Sequence, residues 1–317
     1  MRWTPGADRG NVEDRRGQCG GRGFGLPVGR LGIGGFLVLL VLSLIFKNNF
    51  FALLGGGGGA PVTSQAPVQA SPEEEKMADF VTYTLNDVQD TWSKQFSSSG
   101  QSYQPAKLVL FRDSTETNCG YGAAAMGPFY CPGDQKAYID LGFYEELKSR
   151  FGAPGDFAQA YVLAHEIGHH VQHQLGIDQS VRQAQESNPR QANELSVRME
   201  LQADCFAGVW GHSAAQRNLL DAGDVDEALN AATAIGDDRI QQQAGAGVNP
   251  ETWTHGSSRQ RVEWFRVGME SGDPEKCDTF EGALETKNGP RRPGARISAQ
   301  AMRSISGPGS WRHRSAA

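Results

Sequence analysis

The feature that most constrains the fold is a pair of histidines at helical spacing. Residues 161–170 read YVLAHEIGHH, so His165 and His169 are four positions apart and Glu166 follows the first of them. In an α-helix, residues i and i+4 project from one face about one turn apart. Two imidazoles placed in this way can bind one Zn²⁺, and the adjacent glutamate can deprotonate a water on that metal. The motif therefore needs a helix whose histidine face meets a further ligand.

The residues around the motif favour a buried helix. Phe157, Tyr161 and Val162 precede the histidines, and Gly176 follows them at a position that suits a helix C-cap. Buried histidine and glutamate side chains need polar partners, and a metal ion supplies one. The segment 156–175 is therefore predicted to be a helix that holds a metal in the core.

A third ligand is expected from the next long helix, which is predicted at about 190–212. It contains Glu200 and Asp204, again four residues apart, so both carboxylates can face the histidine helix. Glu200 is the candidate third ligand, and Asp204 can accept the second ring N–H of a ligand histidine. The alternative is a solvated acidic face, against which the apolar neighbours argue: Leu201, Ala203, Phe206, Ala207, Val209 and Trp210.

His173 is a competing third ligand because it lies four residues after His169. It would be ~12 Å along the helix axis from His165, too far for one ion to bind all three histidines. His170 and His173 are therefore expected to be outer-shell or surface residues. The predicted cofactor is one Zn²⁺ per chain.

A second constraint is an apolar run near the N-terminus. Residues 31–46 read LGIGGFLVLLVLSLIF and carry no charge. As a helix this run spans ~24 Å, somewhat less than a ~30 Å hydrocarbon core, and flanking apolar residues extend it to position 54. A buried core helix and a cleaved signal peptide are the alternatives, but the flanks are Gly-rich and no A-x-A site follows closely. We predict an uncleaved transmembrane anchor at 31–54.

The anchor divides the chain into segments of different composition. Residues 1–30 are Arg/Gly-rich, and the positive-inside rule places them in the cytoplasm. Residues 55–70 are predicted to be a flexible linker, 71–286 a domain on the outer side of the cell membrane, and 287–317 a basic disordered tail. The whole chain has 36 acidic against 30 basic residues, and most of the excess acid falls in the domain. This argues against nucleic acid as a ligand, because phosphates need a basic face.

Hydrophobic periodicity in the domain predicts an α+β fold that is mainly α. Strands are expected at 107–112 and 136–141, which suggests a small sheet. Helices beyond the metal-binding pair are predicted from Ser71, at 224–242 and at 258–270.

Four cysteines follow the predicted anchor, and Cys19 precedes it. Three pairings are possible for four cysteines. Cys119–Cys131 is the local pair and would close a Gly-rich loop. Cys205–Cys277 would then link a central helix to the segment after the last helix. Four buried free thiols are the alternative, and a cysteine-based zinc site is disfavoured because no C-x-x-C pair exists. Disulfides would fit an oxidising compartment outside the cytoplasm.

These motifs carry a family resemblance. H-E-x-x-H followed by E-x-x-A-D on a later helix is similar to the gluzincin pattern, and the chain resembles more closely the bacterial neutral zinc metallopeptidase family, whose members are single-pass membrane proteins. The resemblance implies a zincin-like metallopeptidase domain after one transmembrane helix. It also implies His165, His169 and Glu200 as zinc ligands and Glu166 as the catalytic residue. The similar blocks cover roughly residues 1–280 and include NVEDRRG, CGYGAAAMGPFYCP, HEIGHHVQ, ELQADCFAGVWG and HGSSRQRVEWF.

Two further residues are candidate transition-state or substrate contacts. Tyr138 lies in the segment 136–141, which is either an edge strand that pairs with an extended peptide or an ordinary central strand. His255, with Arg259 or Arg261 nearby, would place a cation beside an oxyanion, and the alternative is a surface or capping role.

Together these features predict a membrane-anchored zinc peptidase that hydrolyses protein or peptide substrates outside the cytoplasm. Glu166 would take a proton from a metal-bound water and pass it to the leaving amine. One alternative is a non-catalytic, membrane-anchored binding or scaffold module, against which the intact Glu166 argues. Another is a zinc amidase acting on envelope polymers, which would use the same site chemistry.

Overall fold

The computed structural model describes residues 1–17, 70–123, 127–149, 155–243 and 248–281 of the chain. The predicted anchor at 31–54 and the basic tail at 287–317 lie outside these residues, as does the predicted linker at 55–70 except for Ala70. In the part that is described, no helix has both the length and the apolar character that a bilayer crossing requires.

Helices dominate the described chain, which confirms the α+β, mainly α class. They are α1 (Pro72–Ser98), α2 (Gly142–Ser149), α3 (Asp156–Gln174), α4 (Ile177–Ser187), α5 (Ala192–Gln216), α6 (Asp224–Ala234), α7 (Asp237–Gln243) and α8 (Ser258–Ser271). Short 3₁₀ turns lie at Pro189–Gln191, Pro250–Thr252 and Pro274–Cys277.

The strands form a four-stranded sheet and a hairpin. They are β1 (Val12–Asp14), β2 (Lys107–Phe111), β3 (Ser114–Thr117), β4 (Gly120–Ala123), β5 (Phe129–Cys131) and β6 (Lys136–Asp140). In the sheet the order is β1-β2-β6-β5, where β1–β2 and β2–β6 are parallel and β5–β6 is antiparallel. The hairpin pairs β3 with β4.

Local signals account for several helix ends. The Ser71 hydroxyl accepts a hydrogen bond from the backbone N–H of Glu74 at 3.2 Å, so it caps α1 as predicted. The helix predicted at 224–242 is in fact two helices, α6 and α7, separated near Gly236. A Cβ on Gly236 would lie 2.4 Å from the backbone nitrogen of Ser258, so the chain turns there in close contact with the start of α8.

Glycines also allow the central helices to approach one another. A Cβ on Gly168 of α3 would lie 3.1 Å from the Cα of Ala203 in α5. A Cβ on Gly208 of α5 would lie 2.1 Å from the carbonyl oxygen of Phe265 in α8. Larger residues at these positions would force the helices apart, because protein interiors leave no spare volume. The close contacts bring α3, α5 and α8 together around one polar site.

The N-terminal residues belong to the same folded body. β1 pairs with β2 along three residues, with Val12 opposite Leu108. Trp3 packs edge-on against Phe80 of α1, with 5.5 Å between ring centroids. These contacts join residues 1–17 to both the sheet and the first helix of the domain.

The arginines of this N-terminal stretch pair with carboxylates of the fold. Arg9 donates a hydrogen bond to Asp79 of α1 at 2.6 Å. Arg16 donates to Asp14 at 2.6 Å and to Glu75 of α1 at 2.7 Å, and its side chain is only 5% exposed. Their positive charge therefore holds the N-terminal strand against α1.

The separation of residues 1–17 from the domain at 71–286 is not borne out by the fold. β1 pairs with β2 in one sheet, so residues 1–17 and the domain belong to one folded body. The arginines that suggest a cytoplasmic segment serve here as ion-pair partners within the fold. The location of the domain on the outer side of the cell membrane stays a prediction from the sequence.

Candidate metal centre

Three side chains that can ligate a metal converge between α3 and α5. Nε2 of His165 lies 3.2 Å from Oε2 of Glu200, and Nε2 of His169 lies 3.5 Å from Oε1 of the same carboxylate. One ligand atom from each residue lies within 4.8 Å of the other two. The structure thus brings together the three ligands expected from the sequence.

Backbone contacts explain how the site is assembled. The i, i+4 spacing on α3 places His165 and His169 one turn apart, with 4.8 Å between ring centroids. Gly168 lies against Ala203, so the missing side chain allows α5 to run close to the histidine face. That approach brings the carboxylate of Glu200 to the imidazole nitrogens.

The donor set fits Zn²⁺. Two histidine nitrogens and one carboxylate oxygen are a ligand set of catalytic zinc sites, which keep a further position for water or substrate. Burial alone would raise the pKa of Glu200, but the charges of His169 and His165 hold it well below its ordinary value. The carboxylate is therefore ionised and can act as a ligand.

The electrostatic field at His165 also favours a cation. Burial alone would lower the pKa of His165, but the charge and hydrogen bond of Asp204, together with the hydrogen bond to Glu200, raise it to about 10. A metal competes with protons for the same nitrogen. Carboxylates that favour a proton at this position also favour a divalent ion.

Glu166, the predicted catalytic residue, is buried beside these groups and is 7% exposed. Burial raises its pKa, and the charges of His165 and His169 oppose that shift. Tyr144 of α2 is also buried and lies close enough to Glu166 to feel its charge. Burial and this charge raise the pKa of the Tyr144 hydroxyl. Among the described residues that hydroxyl has no hydrogen-bond partner. A buried carboxylate with a raised pKa suits a group that accepts and returns a proton.

Asp204 orients the first histidine. Nδ1 of His165 lies 2.9 Å from Oδ1 of Asp204, so Nε2 is the nitrogen that faces Glu200. The hydroxyl of Tyr161 donates to the same Asp204 oxygen at 2.5 Å, and Arg261 of α8 donates to both carboxylate oxygens. Burial alone would raise the pKa of Asp204, but the charges of Arg261 and His165 lower it. The sequence predicts the contact of Asp204 with His165, but it does not predict the contacts of Asp204 with Tyr161 and Arg261.

Gln172 orients the second histidine. Nδ1 of His169 lies 2.8 Å from Oε1 of Gln172, which is three residues further along α3. The side-chain amide of Gln172 donates to the carbonyl of Met199 at 2.8 Å and to Gln202 at 3.0 Å. Gln172 is not among the residues predicted from the sequence, although its i+3 spacing from His169 is a detectable signal.

His255 lies at the rim of the site with an unpredicted partner. Its Nδ1 is 3.2 Å from Oδ1 of Asp237, and the backbone N–H of His255 donates to Oδ2 of the same carboxylate at 2.6 Å. The hydrogen bond that His255 donates to Asp237 raises the pKa of His255, burial opposes the shift, and the charge of Glu200 adds to it. Of the two arginines considered with it, Arg261 lies behind the site, whereas Arg259 is exposed and pairs with Glu263 at 2.6 Å.

Tyr138 does not lie on an edge strand, which is one of the two alternatives that the sequence leaves open. It is fully buried in β6, which lies between β2 and β5, and the edge strands of the sheet are β1 and β5. Its hydroxyl donates to Asp134 at 2.7 Å and its ring stacks on Phe129 at 4.9 Å. Strand order depends on long-range pairing, which residue patterns within one strand do not reveal.

The two other histidines of α3 do not belong to the candidate ligand set. His170 is fully buried, and its ring nitrogens lie 2.8 Å from the Tyr130 hydroxyl and 2.7 Å from the carbonyl oxygen of Gln104. It is therefore a core residue and not a surface residue. His173 pairs with Asp178 at 2.8 Å.

Both expected disulfides are present. Cys119–Cys131 links the hairpin to the edge strand β5, and Cys205–Cys277 links α5 to the turn that follows α8. The second bond lies five residues beyond Glu200, so it ties the helix that carries the third candidate ligand to the end of the domain.

Comparisons with known proteins point to the same kind of site, a zinc centre. The family described as "Putative neutral zinc metallopeptidase" matches residues 1–280. The "Uncharacterized protein YpfJ" of Escherichia coli K12 is 52% identical over 283 residues, which cover 88% of this chain and 99% of the relative. The "Uncharacterized protein Rv2575" of Mycobacterium tuberculosis H37Rv is 44% identical over 214 residues, or 64% of this chain and 70% of the relative. No solved structure matches the chain.

Proposed function

Since the chain belongs to the family described as "Putative neutral zinc metallopeptidase", we propose that it is a zinc-dependent peptidase that hydrolyses peptide bonds in proteins or peptides. The observation that carries this proposal is the convergence of His165, His169 and Glu200 beside the buried carboxylate of Glu166. A metal site alone would suit a binding module. The added carboxylate is the group that hydrolysis requires.

The proposed mechanism assigns the proton transfers to Glu166. A Zn²⁺ held by His165, His169 and Glu200 would supply Lewis acidity toward the scissile carbonyl and lower the pKa of a water to ~7. Glu166 accepts a proton from the attacking water on a carboxylate oxygen and delivers it to the leaving amine. Burial of Glu166 excludes bulk water, which would otherwise exchange that proton.

His255 is the proposed hydrogen-bond donor to the carbonyl oxygen as negative charge develops there. Asp237 holds its Nδ1, so Nε2 is the nitrogen available to a substrate. The raised pKa of His255 favours the protonated ring, and a cationic donor stabilises an oxyanion better than a neutral one. Asp204 and Arg261 act behind the site by holding His165 in place.

We further propose that the fold is zincin-like and that the domain works outside the cytoplasm together with residues 1–17. Two disulfides support the location, because such bonds persist mainly in oxidising compartments. Contact with the cell membrane through residues 31–54 stays a prediction from the sequence.

The test of the proposed function is hydrolysis of an unfolded protein by the full chain and by Glu166→Gln. The amide is nearly the same size as the carboxyl group but cannot accept the proton. We therefore expect the rate of hydrolysis to fall by ~10²–10⁴-fold or more, while the zinc content stays unchanged. Equal hydrolysis by the variant would show that the activity comes from elsewhere. Zinc binding without hydrolysis of any peptide would favour the scaffold alternative, and hydrolysis of envelope polymers alone would favour the amidase.

A further inference from the structure

Resting on the proposed zinc function, we propose that Gln172, Gln202 and the carbonyl group of Cys277 form a hydrogen-bond relay that decides which nitrogen of His169 faces the metal. The relay runs away from the site through the interface of α3 and α5. It ends at the Cys205–Cys277 disulfide.

The direction of every hydrogen bond in the relay follows from its far end. A backbone carbonyl can only accept, so the contact of 3.0 Å between Gln202 and the Cys277 oxygen uses the amide nitrogen of Gln202. The amide oxygen of Gln202 therefore faces Gln172, and it accepts from the Gln172 nitrogen at 3.0 Å. The carbonyl of Met199 accepts from the same nitrogen at 2.8 Å, which fixes the orientation of Gln172 a second time.

His169 must then be a donor at Nδ1. The oxygen of Gln172 lies 2.8 Å from that nitrogen and can only accept. The neutral ring consequently carries its lone pair on Nε2, which lies 3.5 Å from Glu200 in the metal centre. The opposite tautomer would point an N–H at the metal position.

Burial of the two glutamines keeps the hydrogen bonds of the relay in one direction. Gln172 is fully buried and Gln202 is 6% exposed, so water does not compete for their amide groups. A buried amide group with a missing or reversed partner destabilises the fold, and reversal of one glutamine would leave several groups unpaired. Each group in the relay therefore keeps its role as donor or acceptor.

The end of the relay is fastened by the disulfide and by the residues around it. Cys277 is bonded to Cys205, five residues beyond Glu200 on α5. Arg198 donates to the carbonyl of Thr279 at 2.5 Å, and the Thr279 hydroxyl donates back to the carbonyl of Arg198 at 2.6 Å. The position of the Cys277 carbonyl, and through it the orientation of His169, thus depends on the disulfide.

The relay differs from the support of the other histidine. His165 donates to the charged carboxylate of Asp204, whereas His169 donates to a neutral amide that is itself part of a chain. Partners of this kind change metal affinity by ~10–100-fold when they are removed. Gln172 and Gln202 are therefore positioning residues, since neither is a ligand.

The first test measures the tautomer of His169 directly. Two-dimensional NMR of the full metal-free chain, with ¹⁵N-labelled histidine and at a pH where the ring is neutral, separates the two tautomers. We expect the Nδ1–H form in the wild type and a raised Nε2–H population in Gln172→Met. Gln174→Met is the matched control, because Gln174 lies on the same helix and bonds Gln104 and His170 instead. A wild-type Nε2–H form, or no change in Gln172→Met, would overturn the proposal.

The second test measures zinc affinity by competition with a chromophoric chelator. We expect a ~10–100-fold loss in Gln172→Met, Gln202→Met and the Cys205→Ser/Cys277→Ser variant. The Cys119→Ser/Cys131→Ser variant and Gln174→Met should stay within about twofold of the wild type. If the cysteine variant does not fold, Gln202→Met still breaks the middle of the relay.

Failure of this proposal is distinguishable from failure of the proposed function. Unchanged zinc affinity in a folded Gln202→Met, or an equal loss in the Cys119→Ser/Cys131→Ser control, would overturn the relay and leave the hydrolysis test untouched. Absence of peptide hydrolysis would overturn the peptidase and leave the relay, since neither of its measurements uses a substrate.

Discussion

Arg261 and Asp204 form a buried ion pair behind His165 of the candidate metal centre. Nε and Nη2 of Arg261 lie 2.8 and 2.9 Å from the two carboxylate oxygens of Asp204, and the side chains are 3% and 0% exposed. The pair joins α8 to α5, and Asp204 in turn holds His165. A helix without a ligand of its own thereby helps to position the site.

The first prediction concerns this ion pair. Arg261→Met should lower the free energy of unfolding by ~3–5 kcal/mol, because it leaves the charge of Asp204 buried without its main partner. Arg259→Met is the matched control on the same helix, and its exposed position predicts a change within about 0.5 kcal/mol. Urea unfolding of the metal-free chains measures both. Equal stability of the two variants would contradict the role given to Arg261.

A second prediction concerns the Asp237–His255 pair. Asp237→Asn removes the hydrogen bond that raises the pKa of His255, so this pKa should fall toward its ordinary value in an NMR titration. A group with a raised pKa in the folded state stabilises the fold below its ordinary value, and that contribution disappears as pH rises through the folded value. In the wild type the free energy of unfolding should therefore lose this contribution as pH rises above the ordinary pKa of histidine, and in Asp237→Asn that loss should be absent.

The same pair predicts a kinetic effect. His255→Phe should lower kcat by ~10²-fold or more without loss of zinc, because one donor to the developing oxyanion is removed. An unchanged kcat would show that His255 is a surface or capping residue and not a donor to the oxyanion.

A third prediction concerns the placement of residues 1–17. In a Cys19→Ser background, single cysteines introduced at the exposed positions Thr4 and Lys94 should react alike with a membrane-impermeant maleimide in intact cells. The pairing of β1 with β2 requires both on one side of any membrane. Labelling of only one of the two positions before permeabilisation would contradict the strand pairing.

A fourth prediction concerns the cysteines. Protein from its native compartment, unfolded without reductant and treated with a thiol reagent, should be labelled at Cys19 alone, because the other four cysteines are paired. Labelling of Cys119 or Cys277 under these conditions would count against the disulfides and against an oxidising location.

The sequence predicts the parts of the site that depend on local spacing. His165, His169, Glu200 and Asp204 each follow from an i, i+4 pattern on a helix, and the structure places them together. Arg261 does not follow in this way, because its partner lies 57 positions away and is chosen by the packing of α8 on α5.

Long-range pairing also explains what the sequence does not reveal. Tyr138 lies in a strand whose own residues do not reveal its neighbours, and it is central because β5 returns beside it. The N-terminal strand is only three residues long, too short for a periodic pattern, so the arginines on either side of it resemble a topology signal.

The zinc content of purified His169→Ala, compared with the wild type by elemental analysis, tests the central claim most directly. The wild type should carry one equivalent of zinc per chain, because two imidazoles and one carboxylate surround a single point. His169→Ala removes one of three protein ligands and should lose most of that zinc after dialysis, while circular dichroism shows retained helices. A full equivalent of zinc in the folded variant would contradict the ligand set on which the proposed peptidase depends.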